Sequence, residues 1–358
     1  MGEFLRREWF LSVLLFLYAG LVMVDHSLPG RTPNLVDWGS LSLITALIIT
    51  SKGLELSGVF NRLAPRLVKR ANGSSRRLLL LLLPAIALSS ALIMNDTAML
   101  VFIPLVVALS ELSGMDKVKA VTLSAIAANV GSALTPIGNP QNIIIWREYG
   151  LGFFAFISGM LPFVLLWLGL LLAIVLLTPD ETLSVRSLPP VAFRKDLFLV
   201  SVFLLGLNVY LGETGRHELS IALTLLTFFL FERDVLLSFD WALVLTFAFI
   251  FIDFNELSAL LIKAGLSLPT EGAGLVLASA GLSQLISNVP ATVVFLSSKP
   301  AWLPLAVGVN AGGTGTVIGS LANLIAVRIA RVSLGDFHRC SVPYFIVVLA
   351  ISSGLILL

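Results

Sequence analysis

The sequence contains very little charge, one cysteine and three histidines. Only 12% of its 358 residues are charged, against roughly a quarter in an ordinary soluble domain. The single cysteine, Cys340, excludes an internal disulfide and a multi-cysteine metal site. The histidines are far apart along the chain and do not indicate a zinc or haem centre. Since no ATP-binding motif is present, primary pumping by this chain alone is not expected, although a soluble ATPase partner stays open.

Hydrophobic residues dominate instead. They make up 57% of the chain, and the mean hydropathy is +0.99. Several uncharged stretches have about the length needed to cross a hydrocarbon core of ~30 Å. A soluble protein of this size could not bury so many in one core. The sequence therefore predicts an all-α polytopic membrane protein with the lipid bilayer as its partner, and nothing indicates nucleic acid. The first apolar run resembles a signal peptide but lacks a cleavage site, so a retained helix is expected.

Hydropathy divides the chain into two kinds of apolar segment. About nine spanning helices are predicted, at 9–24, 36–51, 117–147, 152–178, 196–212, 217–231, 240–255, 301–331 and 341–358. Residues 77–112 and 268–299 are too long for one helix and too short for two crossings. Each has a polar break in its middle, at 94–97 and 287–290. These two segments are predicted to be re-entrant hairpins, because non-helical backbone at membrane depth needs protein or a wet cavity around it.

Positive charge supports this topology. With nine crossings and two hairpins, 18 of the 23 Lys and Arg residues fall on one side. The positive-inside rule then places the N-terminus in the cytoplasm and the C-terminus outside, in a cell (plasma or inner) membrane. Residues 54–70 carry four positive charges among Leu and Val and predict a helix along the cytoplasmic interface.

The two halves of the sequence match each other. Residues 129–142 align without gaps on 310–323, with six of fourteen positions identical. Upstream, 90–98 matches 283–291. Because an odd number of crossings separates the copies, the second is inverted. The predicted organisation is a first repeat at 1–178, which includes the N-terminal helix, a cytoplasmic linker at 179–195 and a second repeat at 196–358.

Inverted repeats with hairpins and broken helices are typical of secondary transporters. A helix interrupted at mid-membrane presents free N–H and C=O groups, whose partial charges can replace part of a solute's hydration shell. The candidate substrate- or ion-binding residues are the polar and glycine residues of the tips and breaks: Asn95, Asp96, Thr97, Asn129, Ser132, Thr135, Gly138, Asn142, Ser287, Asn288, Thr292, Asn310, Gly313, Thr314, Thr316 and Asn323.

These motifs resemble the ion transporter superfamily, which includes citrate carriers, arsenite permeases, divalent-anion/sodium symporters and one class of sodium/proton antiporters. The tip at 287–292 is close to that group's Ser-Asn-Thr pattern, with the Thr displaced. The Asn95-Asp96-Thr97 tip and the Thr135–Asn142 break look like the arsenite-permease and anion-permease branch. The resemblance covers about residues 36–358. It implies an elevator movement against a fixed scaffold, a homodimer and a citrate transporter-like domain.

Individual residues leave alternatives open. Asp96 at a mid-membrane tip predicts an H⁺ or Na⁺ coupling site or a solute contact, and helix capping is the alternative. Asn95, Asn288, Thr97 and Thr292 have the same two interpretations, and Asn142 and Asn323 could equally bond across the breaks. Glu55 and Glu256 are expected to act as hinge or cap residues. Asp253 is expected near a membrane end, in contact with water.

The sequence thus predicts a secondary active transporter of a small inorganic ion or oxyanion, coupled to H⁺ or Na⁺. A carboxylate without a nearby Lys or Arg favours an arsenite-like neutral solute or a cation. A Na⁺/H⁺ antiporter, a dicarboxylate or citrate carrier and an ion channel remain as alternatives. No catalytic arrangement of an intramembrane enzyme is present, and no cofactor is expected beyond bound Na⁺.

Overall fold

A computed structural model describes residues 8–59, 62–113, 115–182, 192–265 and 267–357. These residues form eighteen helices and no β-strand, which confirms the all-α prediction. In chain order the helices are α1 Trp9–Val24, α2 Leu28–Leu35, α3 Trp38–Leu56, α4 Leu63–Ala71, α5 Ser75–Leu92, α6 Asn95–Ser113, α7 Lys117–Ser132, α8 Pro140–Glu148, α9 Phe153–Leu176, α10 Lys195–Glu213, α11 His217–Phe231, α12 Arg233–Leu237, α13 Trp241–Lys263, α14 Gly272–Ile286, α15 Asn288–Leu296, α16 Trp302–Gly312, α17 Leu321–Ala330 and α18 Leu334–Leu357.

Six of these helices are long and apolar enough to cross a membrane: α3, α5, α9, α10, α13 and α18. The others in the predicted spans are shorter apolar helices or the halves of broken ones. Each predicted span contains one of these helices or a broken pair. We call the face where α1 begins the N-side and the face where α18 ends the C-side.

Contacts between helix ends show which ends of several helices lie on the same face. On the C-side, Arg147 in the last turn of α8 pairs with Asp37 before α3 at 2.5 Å, and the Tyr149 hydroxyl donates to the Pro300 carbonyl. On the N-side, the Arg194 amide donates to the Ser57 carbonyl at 2.9 Å. These contacts agree with the directions predicted for α3, α8, α9, α10 and α16.

The first hairpin, α5 and α6, enters and leaves on the N-side. Ser75, at its start, lines a small surface pocket with Met115 and Asp116, just beyond its end. Its tip stops inside the membrane, at the first helix break. There the backbone N–H of Asn95 donates to the Gly138 carbonyl at 2.9 Å. The nine residues of α8, about 13 Å of helix, still separate that point from the C-side.

The second hairpin, α14 and α15, enters and leaves on the C-side. The Ala301 amide after it donates to the Thr270 carbonyl before it, at 2.7 Å. At its tip, the backbone N–H of Asn288 donates to the Gly319 carbonyl at 3.2 Å. This bond repeats the Asn95–Gly138 bond of the first copy. The two hairpins therefore enter from opposite faces, which confirms the inverted repeat.

Several predicted boundaries differ from the structure. The interfacial helix begins at Leu63 rather than at 54, because α3 continues to Leu56. Helix α13 ends at Lys263 rather than at 255, so Asp253 lies in the middle of the helix and not near its end. The predicted linker at 179–195 lies partly outside the described residues, since 183–191 are not described. Asp180 within it accepts a hydrogen bond from Ser74 at 2.8 Å.

The extension of α13 is explained by partners for its polar residues. The Asn255 side-chain amide donates to the Leu35 carbonyl at 2.9 Å, and the Glu256 carboxylate lies 3.4 Å from the Arg31 guanidinium. Glu256 is thus neither a cap nor a helix end, in contrast to the prediction. The first-copy residue, Glu55, lies in the last turn of α3 and pairs with Lys52 at 2.8 Å.

Candidate functional site

Both hairpin tips face one small cleft at the centre of the molecule. Asn95 and Asp96 reach it from the first tip, and Ser287 and Asn288 reach it from the second. Residues Pro140 and Gln141, at the start of α8, lie between them. The opposite wall consists of α1 and α13 side chains: Phe10, Leu243, Thr246, Phe247 and Ile250. The cleft has a volume of about 20 Å³, which is room for about one water molecule.

A larger cavity of about 590 Å³ leads from the N-side to this cleft. Asp96 and Thr97 lie at its inner end, and Leu321 and Thr246 line both spaces. Its mouth carries charges of both signs at the N-side ends of α1, α3, α13 and α17: Glu8, Lys52, Glu55, Asp240 and Arg328. The site is therefore accessible from the N-side in this conformation.

The Asp96 carboxylate is half-buried in the first turn of α6 and has no hydrogen-bond partner among the described residues. It does not cap the helix. No Lys or Arg side chain of the described part of the chain lines the cleft itself. The partial positive charge of the helix start is the favourable electrostatic contact that the structure gives to this carboxylate.

Two buried amide oxygens beside Asp96 also lack a partner. They are Oδ1 of Asn95 and Oε1 of Gln141, on side chains only 2% and 1% exposed. Unpaired polar atoms of this kind are rare in native interiors. Since both are acceptors, the cleft suits a solute that donates hydrogen bonds or carries positive charge.

Behind the cleft, asparagine side chains hold the two broken helices together. The Asn142 side-chain amide donates to the Ser132 and Thr135 carbonyls at 3.1 and 2.9 Å. These bonds satisfy carbonyl groups that the first break leaves free. In the second copy, the Asn323 amide donates to the Gly313 and Thr316 carbonyls at 2.8 and 2.9 Å. These two side chains bridge the breaks of their own copies.

The same asparagines also link the two copies. Asn129 donates to Asn323 Oδ1 at 2.8 Å, and Asn310 donates to Asn142 Oδ1 at 2.7 Å. Asn95 at the first tip donates to Asn129 Oδ1 at 3.2 Å. We call these five residues the asparagine network. It fixes one tip and both breaks relative to one another.

The remaining candidates lie at different distances from the cleft. Several make local bonds in the helices and breaks: Ser132 to the Asn129 carbonyl, Thr292 to the Asn288 carbonyl, and Thr314 to the Ala311 carbonyl. Thr135 donates to the Ala91 carbonyl of the hairpin at 2.6 Å, and the Thr316 hydroxyl accepts from the Gly319 amide. Gly138 and Gly313 supply backbone carbonyls to the network.

The tip residue Ser287 has a left-handed backbone, with φ of +75°. Such a conformation costs a non-glycine residue about 1–3 kcal/mol and is concentrated at functional sites.

Residues at the cleft or the breaks that the sequence did not predict include Gln141, Thr246 and Gln284. Gln141 lines the cleft and was inside the repeated motif, so the motif was the available signal. Thr246 lies on α13, outside both repeats' motifs. Gln284 on α14 accepts from the Thr316 amide and donates to the Gly312 carbonyl, both at 2.8 Å, and so bridges the second break. Its first-copy equivalent is Ala91, so symmetry does not reveal it.

Comparison with known proteins identifies the family. A model of the CitMHS citrate transporter family matches residues 6–298. The chain belongs to this family. Among its relatives is the inner membrane protein YbiR of Escherichia coli, 36% identical over 355 residues, which cover 95% of this chain and 93% of that protein. The uncharacterized transporter MJ0456 of Methanocaldococcus jannaschii is 30% identical over 332 residues, 90% and 91% of the two chains.

A solved structure supports the architecture. The YdaH transporter of Alcanivorax borkumensis superposes with a TM-score of 0.52 at 15% identity, over 94% of this chain and 88% of that one. At this identity the likeness shows the fold alone. The citrate transporter family membership confirms the resemblance inferred from the tips and breaks, and the chain is a multi-pass membrane transporter.

Proposed function

We propose that the chain is a secondary active transporter that carries a small inorganic ion or oxyanion, coupled to H⁺ or Na⁺. One observation carries the proposal: two hairpin tips that enter from opposite faces meet two helix breaks in one cleft, and a cavity leads to it from the N-side. This arrangement suits a site that is exposed to one face at a time.

The lining of the cleft supports a choice of solute. Asp96 and the free oxygens of Asn95 and Gln141 are all acceptors. A multiply charged anion would be repelled by Asp96 unless co-bound cations or protons compensated it. A neutral oxyacid such as arsenous acid would instead donate its O–H groups to these oxygens. The same oxygens suit a hard cation, so exchange of Na⁺ for H⁺ is the second candidate.

The proposed elevator movement follows from the division of the helices into two groups. In this proposal the hairpins and broken helices, linked by the asparagine network, move as one body against α1, α3, α10, α11 and α13. The charge distribution places the N-side in the cytoplasm, so the present conformation would face inward. A homodimer would hold the scaffold in place.

The test is reconstitution in liposomes with an internal pH-sensitive dye and imposed pH or Na⁺ gradients. The probes are arsenite, citrate and Na⁺. We expect one of them to move against its own gradient when H⁺ or Na⁺ runs down its gradient. Flux that never exceeds equilibrium would indicate a channel and contradict the proposal.

Asp96→Asn tests the coupling site. We expect it to abolish uphill movement, because an amide neither binds a proton nor attracts a cation as a carboxylate does. Asp336→Asn, an exposed carboxylate on the N-side, is the matched control and should behave as the wild type. Unchanged coupled uptake by Asp96→Asn would exclude Asp96 from coupling.

A further inference from the structure

A second carboxylate lies inside the membrane region, on the wall opposite the hairpin tips. Asp253 is in the middle of α13, roughly 15–18 Å of helix from either end. It is 0% exposed, and neither of its carboxylate oxygens has a hydrogen-bond partner in the described part of the chain. The prediction that water surrounds it is therefore wrong, and its burial needs a different explanation.

No Lys, Arg or His side chain in the described part of the chain pairs with Asp253. Helix α13 packs against α1, α2, α3 and α15. Helix α15 has no ionisable residue. Tyr18 on α1 bonds Thr32. Arg31 on α2 is divided between Asp25 at 2.6 Å and Glu256 at 3.4 Å. The remaining charged groups on or beside these helices lie at or just beyond their ends: Glu8, Asp37 with Arg147, Lys52 with Glu55, Asp240, Lys263 and Lys299.

An ionised carboxylate without a partner is costly to bury, whereas a neutral carboxylic acid is far less so. A Na⁺ ion would need several further oxygen ligands, and no hydroxyl or amide group in the described part of the chain bonds the Asp253 carboxylate. We propose that Asp253 is a second proton-binding site of this transporter and that it holds a proton in the conformation seen here. The reaction is the simple exchange of one proton between the carboxylate and water.

Its position gives the proton site a place in the transport cycle. Ile250, one helical turn toward the N-side, lines the central cleft opposite the second tip. Ser258, further toward the C-side, contacts the Val294 carbonyl of α15 at 3.2 Å. Along the axis of α13, Asp253 thus lies between the cleft and the contact with the second hairpin. Movement of that hairpin would admit water to Asp253 from the C-side, while Asp96 is accessible from the N-side now.

This role in the cycle rests on the proposed transport function, but proton binding does not. The direct test is infrared spectroscopy of the protein in lipid, which reports the C=O stretch of protonated carboxyl groups. At neutral pH we expect one such band to be present in the wild type, lost in Asp253→Asn, restored in Asp253→Glu, and retained in Asp37→Asn, the control in which a paired carboxylate is removed. An Asp253→Asn spectrum identical to the wild type would overturn proton binding.

The second measurement is proton flux in liposomes with whichever of arsenite, citrate or Na⁺ drives it in the wild type. We expect Asp253→Asn to lose the gradient-driven component and Asp253→Glu to keep it. Loss of the infrared band with unchanged proton flux would overturn the role in the cycle. If no probe drives flux in the wild type, the proposed function and this role fail, whereas the infrared band still decides proton binding.

Because Asp253 makes no bond that a substitution would break, Asp253→Leu should fold as well as the wild type. Thermal unfolding in detergent checks this. A large loss of stability in Asp253→Leu would show that the carboxyl group is structural and would count against the proposal.

Discussion

Asn129 of the first broken helix donates from its amide nitrogen to Oδ1 of Asn323 in the second, at 2.8 Å. The two residues are 194 positions apart in the sequence and come from oppositely oriented copies. The same Asn323 amide bridges the break of its own copy. One side chain therefore links the local geometry of a helix break to the contact between the two halves of the protein.

Asn323→Ala should destabilise the fold by about 2 kcal/mol, because it removes the bridge across the break and leaves the buried Asn129 amide without its partner in the second copy. The double variant with Asn129→Ala should show a coupling energy of about 1 kcal/mol. Reversible unfolding in mixed detergent measures both. The exposed Asn34→Ala is the control and should be neutral. Strict additivity of the two substitutions would contradict the link between the copies.

Ser287→Gly should stabilise the protein by about 1 kcal/mol, since glycine adopts the left-handed backbone of the second tip without strain. Ser287→Ala keeps the strain and loses only the hydroxyl, so it should give no gain. The same unfolding assay compares the three proteins. A loss of stability in Ser287→Gly would mean that the hydroxyl contributes more than the strain costs.

Asp180 accepts hydrogen bonds on the N-side, and their contribution to stability depends on pH. Hydrogen bonds from the Arg76 amide and the Ser74 hydroxyl hold the pKa of Asp180 below its usual value of 3.8. A lowered pKa means that the stabilisation is complete above 3.8 and is lost as pH falls through the folded-state value. Asp180→Asn should therefore lower the melting temperature at neutral pH, and the difference should shrink in acid. A difference that grows in acid would contradict this assignment.

The hairpins can be tested by single cysteines in a Cys340→Ser background. Arg77→Cys lies in the first turn of α5 and Asp116→Cys lies just beyond α6, so the pair marks the two ends of the first hairpin. Thr270→Cys and Ala301→Cys flank the second hairpin. An impermeant maleimide should label the first pair from one face of the membrane and the second pair from the other. The positive-inside rule predicts that the first pair is labelled from the cytoplasm. Labelling of 77 and 116 from opposite faces would show that the first segment crosses fully.

Much of the fold was predictable because membrane helices follow local rules. Length and hydropathy predict each crossing, since every backbone group in lipid must be bonded within its own segment. The repeated Asn and Gly positions predicted the inverted copies, because each copy forms the same bonds. The backbone N–H groups of Asn95 and Asn288 donate to the matching glycine carbonyls, and the side chains of Asn142 and Asn323 donate to the matching threonine carbonyls.

The division of labour among the asparagines needed the tertiary structure. Asn95 and Asn142 look alike in the sequence, yet one leaves a free oxygen near the cleft and the other is fully bonded behind it. Which of them is free depends on partners from the other copy, and no local pattern specifies those. Gln284 is a further case, because only one of the two copies uses a side chain there.

The sequence by itself determined that this chain spans a bilayer, that it contains two related halves and that Asp96 lies at a tip, because hydropathy and repetition are properties of neighbouring residues. Only the tertiary structure decided the environment of Asp253. The sequence places it near the end of an apolar run, where water would surround it. In the folded chain that helix continues, because Asn255 and Glu256 contact Leu35 and Arg31 of α2. The Asp253 carboxylate is then buried and unpaired. Burial depends on what packs against a residue, and that is set by contacts between distant segments.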